Sequence, residues 1–179
     1  MLSHKMINFV LFQIGWFACV LSGAARQPLI GVAIAAAIIG WHVWRAQQPS
    51  REIILLLLAM LVGALWDSLL VWQAWLDYPA GILLPHTAPY WIIIMWALFA
   101  STLNLSLRWL KAHLLLAVIL GAVAGPLAYY AGARLGAVDF LQPTPAFIAL
   151  ALGWAVFTPL LVILSNRFDG YALLARRHD

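Results

Sequence analysis

One ionisable side chain, that of Asp67, lies deep within a long apolar segment of the sequence. If that segment is a membrane helix beginning at residue 53, a rise of about 1.5 Å per residue places Asp67 about 20 Å from one edge of the hydrocarbon core. A charge at this depth is costly, and it indicates either a functional site or a specific partner for the carboxylate. The small residues Gly63, Ala64 and Ser68 share its helix face and would let another helix approach closely.

Three arrangements would satisfy the Asp67 carboxyl group. One is an ion pair with Arg134, because an arginine near a helix end can extend its side chain inward. Another is a protonated Asp67 that hydrogen-bonds to a tyrosine or a serine. The third is a polar binding site that opens to the nearer, outer surface beneath the loop carrying His86. Arg134 follows Tyr130 by one helical turn, so these two residues share a side of their helix. The predicted outward-facing site consists of Asp67, Tyr129, Tyr130, Arg134 and His86.

A second layer of polar residues is predicted about 8–13 Å from the opposite edge of the hydrocarbon core. Polar side chains at that depth must face other helices rather than lipid, and hydrogen bonds between helices would each contribute less than about 2 kcal/mol. Such a layer is more typical of helix packing than of a binding site. The inner polar layer consists of Gln13, Ser101, Asn104 and Thr158.

The sequence contains no motif that is typical of a catalytic or metal site. It has no His-Glu-x-x-His, no Gly-x-Ser-x-Gly and no phosphate-binding loop. The five histidines are scattered along the chain, and the single cysteine, Cys19, permits neither an intrachain disulfide nor a multi-thiolate metal site. We therefore predict no metal and no cofactor, and the pattern favours a protein that is not an enzyme.

The elements that must position these residues follow from composition. The chain has 179 residues, of which 65% are hydrophobic and only 9% are charged. A soluble domain carries about 25% charged residues, so that class is excluded. Because the basic residues lie singly or in pairs at helix ends, we also expect no nucleic-acid partner. The sequence predicts an all-α integral membrane protein, a single domain over residues 1–179 with six transmembrane helices at about 6–25, 28–44, 53–76, 89–110, 114–133 and 146–165.

The distribution of lysine and arginine predicts the orientation of these helices. Eight of the ten basic residues fall on the side that holds both termini. Such a bias is typical of the cytoplasmic side, so both the N- and C-termini are predicted to be cytoplasmic. The eight are Lys5, Arg45, Arg51, Arg108, Lys111, Arg167, Arg176 and Arg177, and the other two are Arg26 and Arg134.

The fifth predicted helix has the composition of a packing element. Small residues recur on one of its faces, and Gly121 and Gly125 form a small-xxx-small pair that would allow a close helix contact. Pro126 in this helix and Pro159 in the sixth each leave a backbone carbonyl without its helical partner. The small face consists of Gly121, Gly125, Ala128 and Gly132.

Several short motifs resemble those of a bacterial inner-membrane family known only as a domain of unknown function, and the resemblance covers nearly the whole chain. It implies a small multi-pass protein of the bacterial inner membrane with no assigned activity. Genes of this family lie beside cyclopropane-fatty-acid-synthase-like and flavin-oxidoreductase-like genes, which implies membrane lipids and lipid-modifying enzymes encoded nearby as partners. The motifs are Leu65-Trp66-Asp67-Ser68-Leu69, Pro89-x-Trp91, Trp96-x-x-Phe99, Leu103-Asn104-x-Ser106-Leu107-x-Trp109-Leu110 and Gly125-Pro126-x-Ala128-Tyr129-x-Ala131-Gly132-x-x-Leu135-Gly136.

Three functions are compatible with these observations. The first is a non-enzymatic accessory or lipid-handling component associated with membrane fatty-acid modification or envelope stress. The second is a small secondary transporter in which Asp67 is the ion- or substrate-sensitive site. The third is a membrane-embedded lipid-modifying enzyme that uses Asp67 or His86 as an acid or base. A fold of this class does not by itself decide among them.

The charge bias makes a direct prediction about topology. Reporters fused to either end of the chain should both indicate the cytoplasm, because basic residues are retained on that side during insertion. Alkaline phosphatase and green fluorescent protein fusions distinguish the two compartments. A periplasmic signal from either fusion would contradict the six-span topology or its orientation.

Overall fold

A computed structural model describes residues 4–172 of the chain, and within them the architecture is helical. The predicted basic residues Arg176 and Arg177 and the predicted tail histidine His178 lie outside the described residues. In chain order the elements are α1 His4–Ala24, α2 Pro28–Arg45, α3 Pro49–Trp72, β1 Leu76–Asp77, α4 Tyr90–Ala100, a 3₁₀ helix Arg108–Ala112, α5 Leu114–Arg134, β2 Asp139–Phe140 and α6 Pro143–Arg167.

Five of the helices (α1, α2, α3, α5 and α6) are long and apolar enough to cross a membrane. Their outer faces expose large apolar side chains, for example Leu65 on α3 and Leu115 on α5. Continuous apolar surface of this kind is unfavourable in water and suits the hydrocarbon of a bilayer. Several such helices in one chain indicate a multi-pass membrane protein.

The prediction of one continuous helix over residues 89–110 is wrong, because α4 ends at Ala100 and a chain of tight turns follows. The Ser101 hydroxyl donates to the Leu98 carbonyl at 2.7 Å, and the Thr102 hydroxyl donates to the Phe99 carbonyl at 2.6 Å. Hydroxyl groups that bond back to the preceding turn compete with the backbone hydrogen bonds of a helix. The backbone here switches to i→i+3 hydrogen bonds, such as Leu103 N–H to the Ala100 carbonyl.

This irregular stretch is held inside the protein. Residues 101–104 are buried, and the Asn8 side chain of α1 donates to the Ser101 carbonyl at 3.2 Å. The Ser106 hydroxyl in turn donates to the Asn8 side-chain oxygen at 2.7 Å. Backbone that is not helical is tolerated at membrane depth only where protein satisfies its polar groups, and α1 supplies that here.

The small face of α5 forms the closest helix contact of the fold. Gly121 and Gly125 lie against Trp154 of α6, where a Cβ on Gly121 would come within 2.1 Å of the Trp154 carbonyl oxygen. Only glycine allows the two backbones to approach this closely. At one end of the bundle, β1 and β2 pair antiparallel and join the loops that follow α3 and α5.

Candidate functional site

The Asp67 carboxyl group is fully buried and receives three hydrogen bonds. Tyr129 of α5 donates its hydroxyl to one oxygen at 2.5 Å, and Trp96 of α4 donates its indole N–H to the other at 2.8 Å. Tyr78, in the loop after β1, donates a longer bond of 3.4 Å to the first oxygen. A carboxylate can accept all three donors. We call Asp67, Tyr78, Trp96 and Tyr129 the Asp67 cluster.

The local sequence around Asp67 explains how these donors reach it. Gly63 lies one turn before Asp67, and its missing side chain leaves the space that the Trp96 ring occupies. Trp66 packs on the other side of α3 against Gly153 of α6. The Ser68 hydroxyl accepts the backbone N–H of Ala88 at 2.9 Å and fixes the end of the loop before α4. Successive residues of this motif therefore contact different parts of the chain.

An ion pair between Asp67 and Arg134 does not form. The partners of the carboxyl group are hydroxyl and indole donors, and Arg134 is exposed at the end of α5. The reason is the angle of about 100° between successive helix residues. Tyr129 points inward, whereas Tyr130 and Arg134, one turn apart, share the exposed side of α5. Tyr130 contacts the ring of Phe147 on α6 instead.

The other predicted member of this site, His86, is exposed in the loop before α4 and has a positive φ of 62°. Of the five predicted residues, the structure therefore brings together Asp67 and Tyr129. Sequence reasoning missed Tyr78 and Trp96. A signal for Trp96 was present, because the Gly63 gap one turn from Asp67 requires a bulky residue on the facing helix.

A groove of about 560 Å³ lies on the other side of the Asp67 cluster. Its walls come from α1 on one side and from α5 with part of α6 on the other, and its floor comes from α4 and the turns after it. Tyr78, Trp96 and Tyr129 belong to the wall, so Asp67 lies behind the wall and its three donors separate it from the groove. The groove is strongly apolar, with aromatic side chains at Phe12, Trp16, Phe17, Trp91, Phe99 and Trp154.

The inner polar layer divides between this groove and a separate cluster. Gln13 of α1 and Thr158 of α6 line the groove. Ser101 is buried in the turns after α4, where it contacts α1 through Asn8. Asn104 belongs to a polar cluster at the end of the bundle where α2 meets α3 and α6 ends.

That cluster is centred on Glu52, whose carboxylate is fully buried. One Glu52 oxygen accepts Asn104 Nδ2 at 2.6 Å and the backbone N–H of Gly170 at 2.8 Å, and the other lies 2.8 Å from Nε2 of His42. Tyr171 donates its hydroxyl to the His42 carbonyl at 2.5 Å. The segment after α6 is thereby held against the α2–α3 hairpin. We call this set, with Arg108, Lys111 and Asp169, the Glu52 cluster.

Asp169 completes the Glu52 cluster with two cations. Arg108 donates to both of its oxygens, at 3.2 and 2.6 Å, and Lys111 donates to one at 2.9 Å. Burial raises the pKa of Asp169, but the bonds from Lys111 and Arg108 outweigh it, and the net effect holds this pKa below its usual value. Burial lowers the pKa of Lys111. Sequence reasoning took these residues only as topology signals at helix ends.

Neither cluster has the composition of a metal site. Within residues 4–172, no three side chains of histidine, cysteine, aspartate or glutamate are grouped so that they could hold a metal ion. In the Asp67 cluster the carboxylate faces only hydroxyl and indole donors.

A family model matches residues 5–160, which include the Asp67 cluster and the groove. The chain belongs to this family, whose description is "Protein of unknown function (DUF2878)". The resemblance to an uncharacterised family is thereby confirmed. The match to the DUF2878 family ends within α6, before Asp169 and Gly170 of the Glu52 cluster. Comparison with curated proteins and with solved structures finds no match.

The Asp67 cluster predicts unequal effects for two adjacent tyrosines. Tyr129→Phe removes a short hydrogen bond to a buried carboxyl group and should lower the free energy of unfolding by about 2 kcal/mol. Tyr130→Phe is the matched control, and its exposed hydroxyl should contribute less than about 0.5 kcal/mol. Denaturant unfolding in detergent measures both. Equal losses would contradict the assignment of Tyr129 as the main partner of Asp67.

The Glu52 cluster predicts a pH dependence. An aspartate whose folded pKa is lowered stabilises the fold above its unfolded pKa of about 3.9, and this contribution is lost as the pH falls further. Asp169→Asn should therefore destabilise the protein at pH 7 by about 2 kcal/mol and weaken its sensitivity to acid below about pH 4. Thermal unfolding against pH measures both effects. The control is exposed Asp139→Asn, which should leave the pH profile unchanged.

Proposed function

We propose that this protein is a non-enzymatic, lipid-handling component of the bacterial inner membrane that holds a single lipid chain in the groove between α1, α4 and α5. The observation that carries the proposal is the groove itself. Its volume of about 560 Å³ lies within the range of small-molecule binding sites. Its apolar, aromatic lining has the composition that a hydrocarbon occupant requires.

The length of the groove supports one chain as the occupant. On α5 the lining extends from Leu120 to Gly132, which corresponds to about 18 Å at 1.5 Å per residue. One leaflet of the hydrocarbon core is about 15 Å thick, half of the whole core. A single extended acyl or isoprenoid chain from one leaflet therefore matches the groove in length.

The packing of the helices supports entry from the bilayer. α1 packs chiefly against α2 and α4, whereas α5 packs chiefly against α6. The two helices that flank the groove are therefore not joined to each other, and groove residues such as Phe9 and Leu127 are also exposed on the outer surface. A chain could move sideways from the membrane into the groove without leaving the hydrocarbon.

The position of Asp67 favours this function over a transporter or an enzyme that uses that residue. The carboxyl group has three donors and does not line the groove, so a substrate there would meet the tyrosines and Trp96 first. We propose that the Asp67 cluster positions the groove wall. In this proposal both termini face the cytoplasm, six segments cross the membrane, and the lipid-modifying enzymes that the family resemblance implies are the partners.

Filling the groove tests the proposal. The protein is reconstituted in bilayers that contain a phospholipid with a photoreactive acyl chain, and labelled peptides are mapped. Labelling should concentrate on groove residues of α1 and α5. Ala124→Trp places an indole in the groove and should reduce that labelling to less than about a third. Ala36→Trp, on the exposed surface of α2, is the control and should change nothing. Uniform labelling of all exposed helix faces would contradict a specific site.

A further inference from the structure

Two polar side chains that line the groove have no hydrogen-bond partner among residues 4–172. Thr158 is 4% exposed, and its Oγ1 is buried without a partner. Gln13 lies across the groove on α1, and no described residue satisfies its side-chain amide. An unpaired hydroxyl or amide in an apolar environment costs free energy, so each indicates a polar group that the groove receives.

These two residues lie at the same depth. Gln13 is nine positions after the start of α1 at His4, and Thr158 is nine positions before the end of α6 at Arg167. With the two helix ends on one side of the membrane, both side chains are about 14 Å from that side, close to the middle of a core about 30 Å thick. A phospholipid has only hydrocarbon at this level.

The space beside Thr158 is kept open by a neighbouring glycine. A Cβ on Gly121 of α5 would lie 2.5 Å from Thr158 Oγ1, so any larger residue would press against the hydroxyl. Trp154, one turn before Thr158, places an aromatic ring in the same wall, and Phe99 packs edge-on against it at 5.4 Å. A flat ring entering the groove would meet aromatic faces, which favour stacked and edge-on contacts.

We propose that the occupant of the groove is an isoprenoid quinone, whose ring binds between Gln13 and Thr158; this inference rests on the proposed lipid-binding function. The ring of such a lipid is uncharged, and it carries carbonyl oxygens on opposite edges. The Gln13 amide and the Thr158 hydroxyl are both donors, and they project from opposite walls of the groove. The isoprenoid tail occupies the apolar remainder. An oxygenated acyl chain would offer only one acceptor and no ring.

The test has two measurements on full-length protein. Protein extracted from native membranes is analysed for quinone by absorbance and mass spectrometry, and a short-chain benzoquinone is titrated in detergent with tryptophan fluorescence as the signal. Quinone should co-purify, and the titration should saturate. Gln13→Leu and Thr158→Val should each weaken binding about fivefold, the effect of one hydrogen bond of about 1 kcal/mol. Thr158→Ser keeps the hydroxyl and should bind as the unmodified protein does.

The matched controls are Gln73→Leu and Thr144→Val, which make the same changes at exposed positions outside the groove and should leave binding unchanged. If the photoreactive phospholipid labels the groove but the benzoquinone does not bind, or binds equally to all variants, the quinone assignment is overturned and lipid binding stands. If neither molecule enters the groove, both proposals are overturned. Labelling of the groove in each variant also verifies that the variant is folded.

Discussion

Burial of the Asp67 carboxyl group is the constraint on which this end of the fold depends. A charge or an acid in hydrocarbon must be satisfied by protein, and here α4, α5 and the loop after β1 each contribute one donor. Helices three, four and five are thereby connected at a single point. Trp96 also stacks on Trp154 at 4.6 Å, which extends the connection to α6. Because Trp96 and Tyr129 form part of the groove wall, the same hydrogen bonds that satisfy Asp67 determine the shape of the groove.

The groove and the interruption of α4 have a common origin. An unbroken helix over residues 89–110 would carry its side chains past α1 with regular spacing. Instead the chain turns after Ala100, and polar backbone groups there are satisfied by Asn8 and by hydroxyl groups of the segment itself. α1 is therefore fixed to this segment by hydrogen bonds and to α2 by close packing at Gly31. It does not close onto α5, and the aromatic-lined space remains between them.

The Glu52 cluster shows how short connections determine which polar residues meet. α2 and α3 are joined by residues 46–48, and His42 and Glu52 are each five positions from Gln47, the centre of this connection. In an antiparallel pair such positions lie level with each other, which places the imidazole beside the carboxylate. Gly170, after α6, contributes its backbone N–H to the same carboxylate, and a Cβ there would come within 2.6 Å of Glu52. The end of the chain that follows α6 is thus part of the core of this cluster.

The sequence by itself determined the helical membrane architecture, because long apolar segments without alternation permit only helices whose backbones are satisfied internally. It also indicated the buried aspartate and the glycine face of α5, since both follow from residue type and helical spacing. It did not determine which side chain satisfies Asp67, because depth alone does not distinguish Tyr129 from its neighbours, and only the rotation of α5 against α3 directs Tyr129 inward and Arg134 outward. The end of α4 at Ala100, the groove and the Glu52 cluster likewise required the tertiary structure, because each arises from contacts between residues more than fifty positions apart in the chain, such as Asn8 with Ser101 and Glu52 with Gly170.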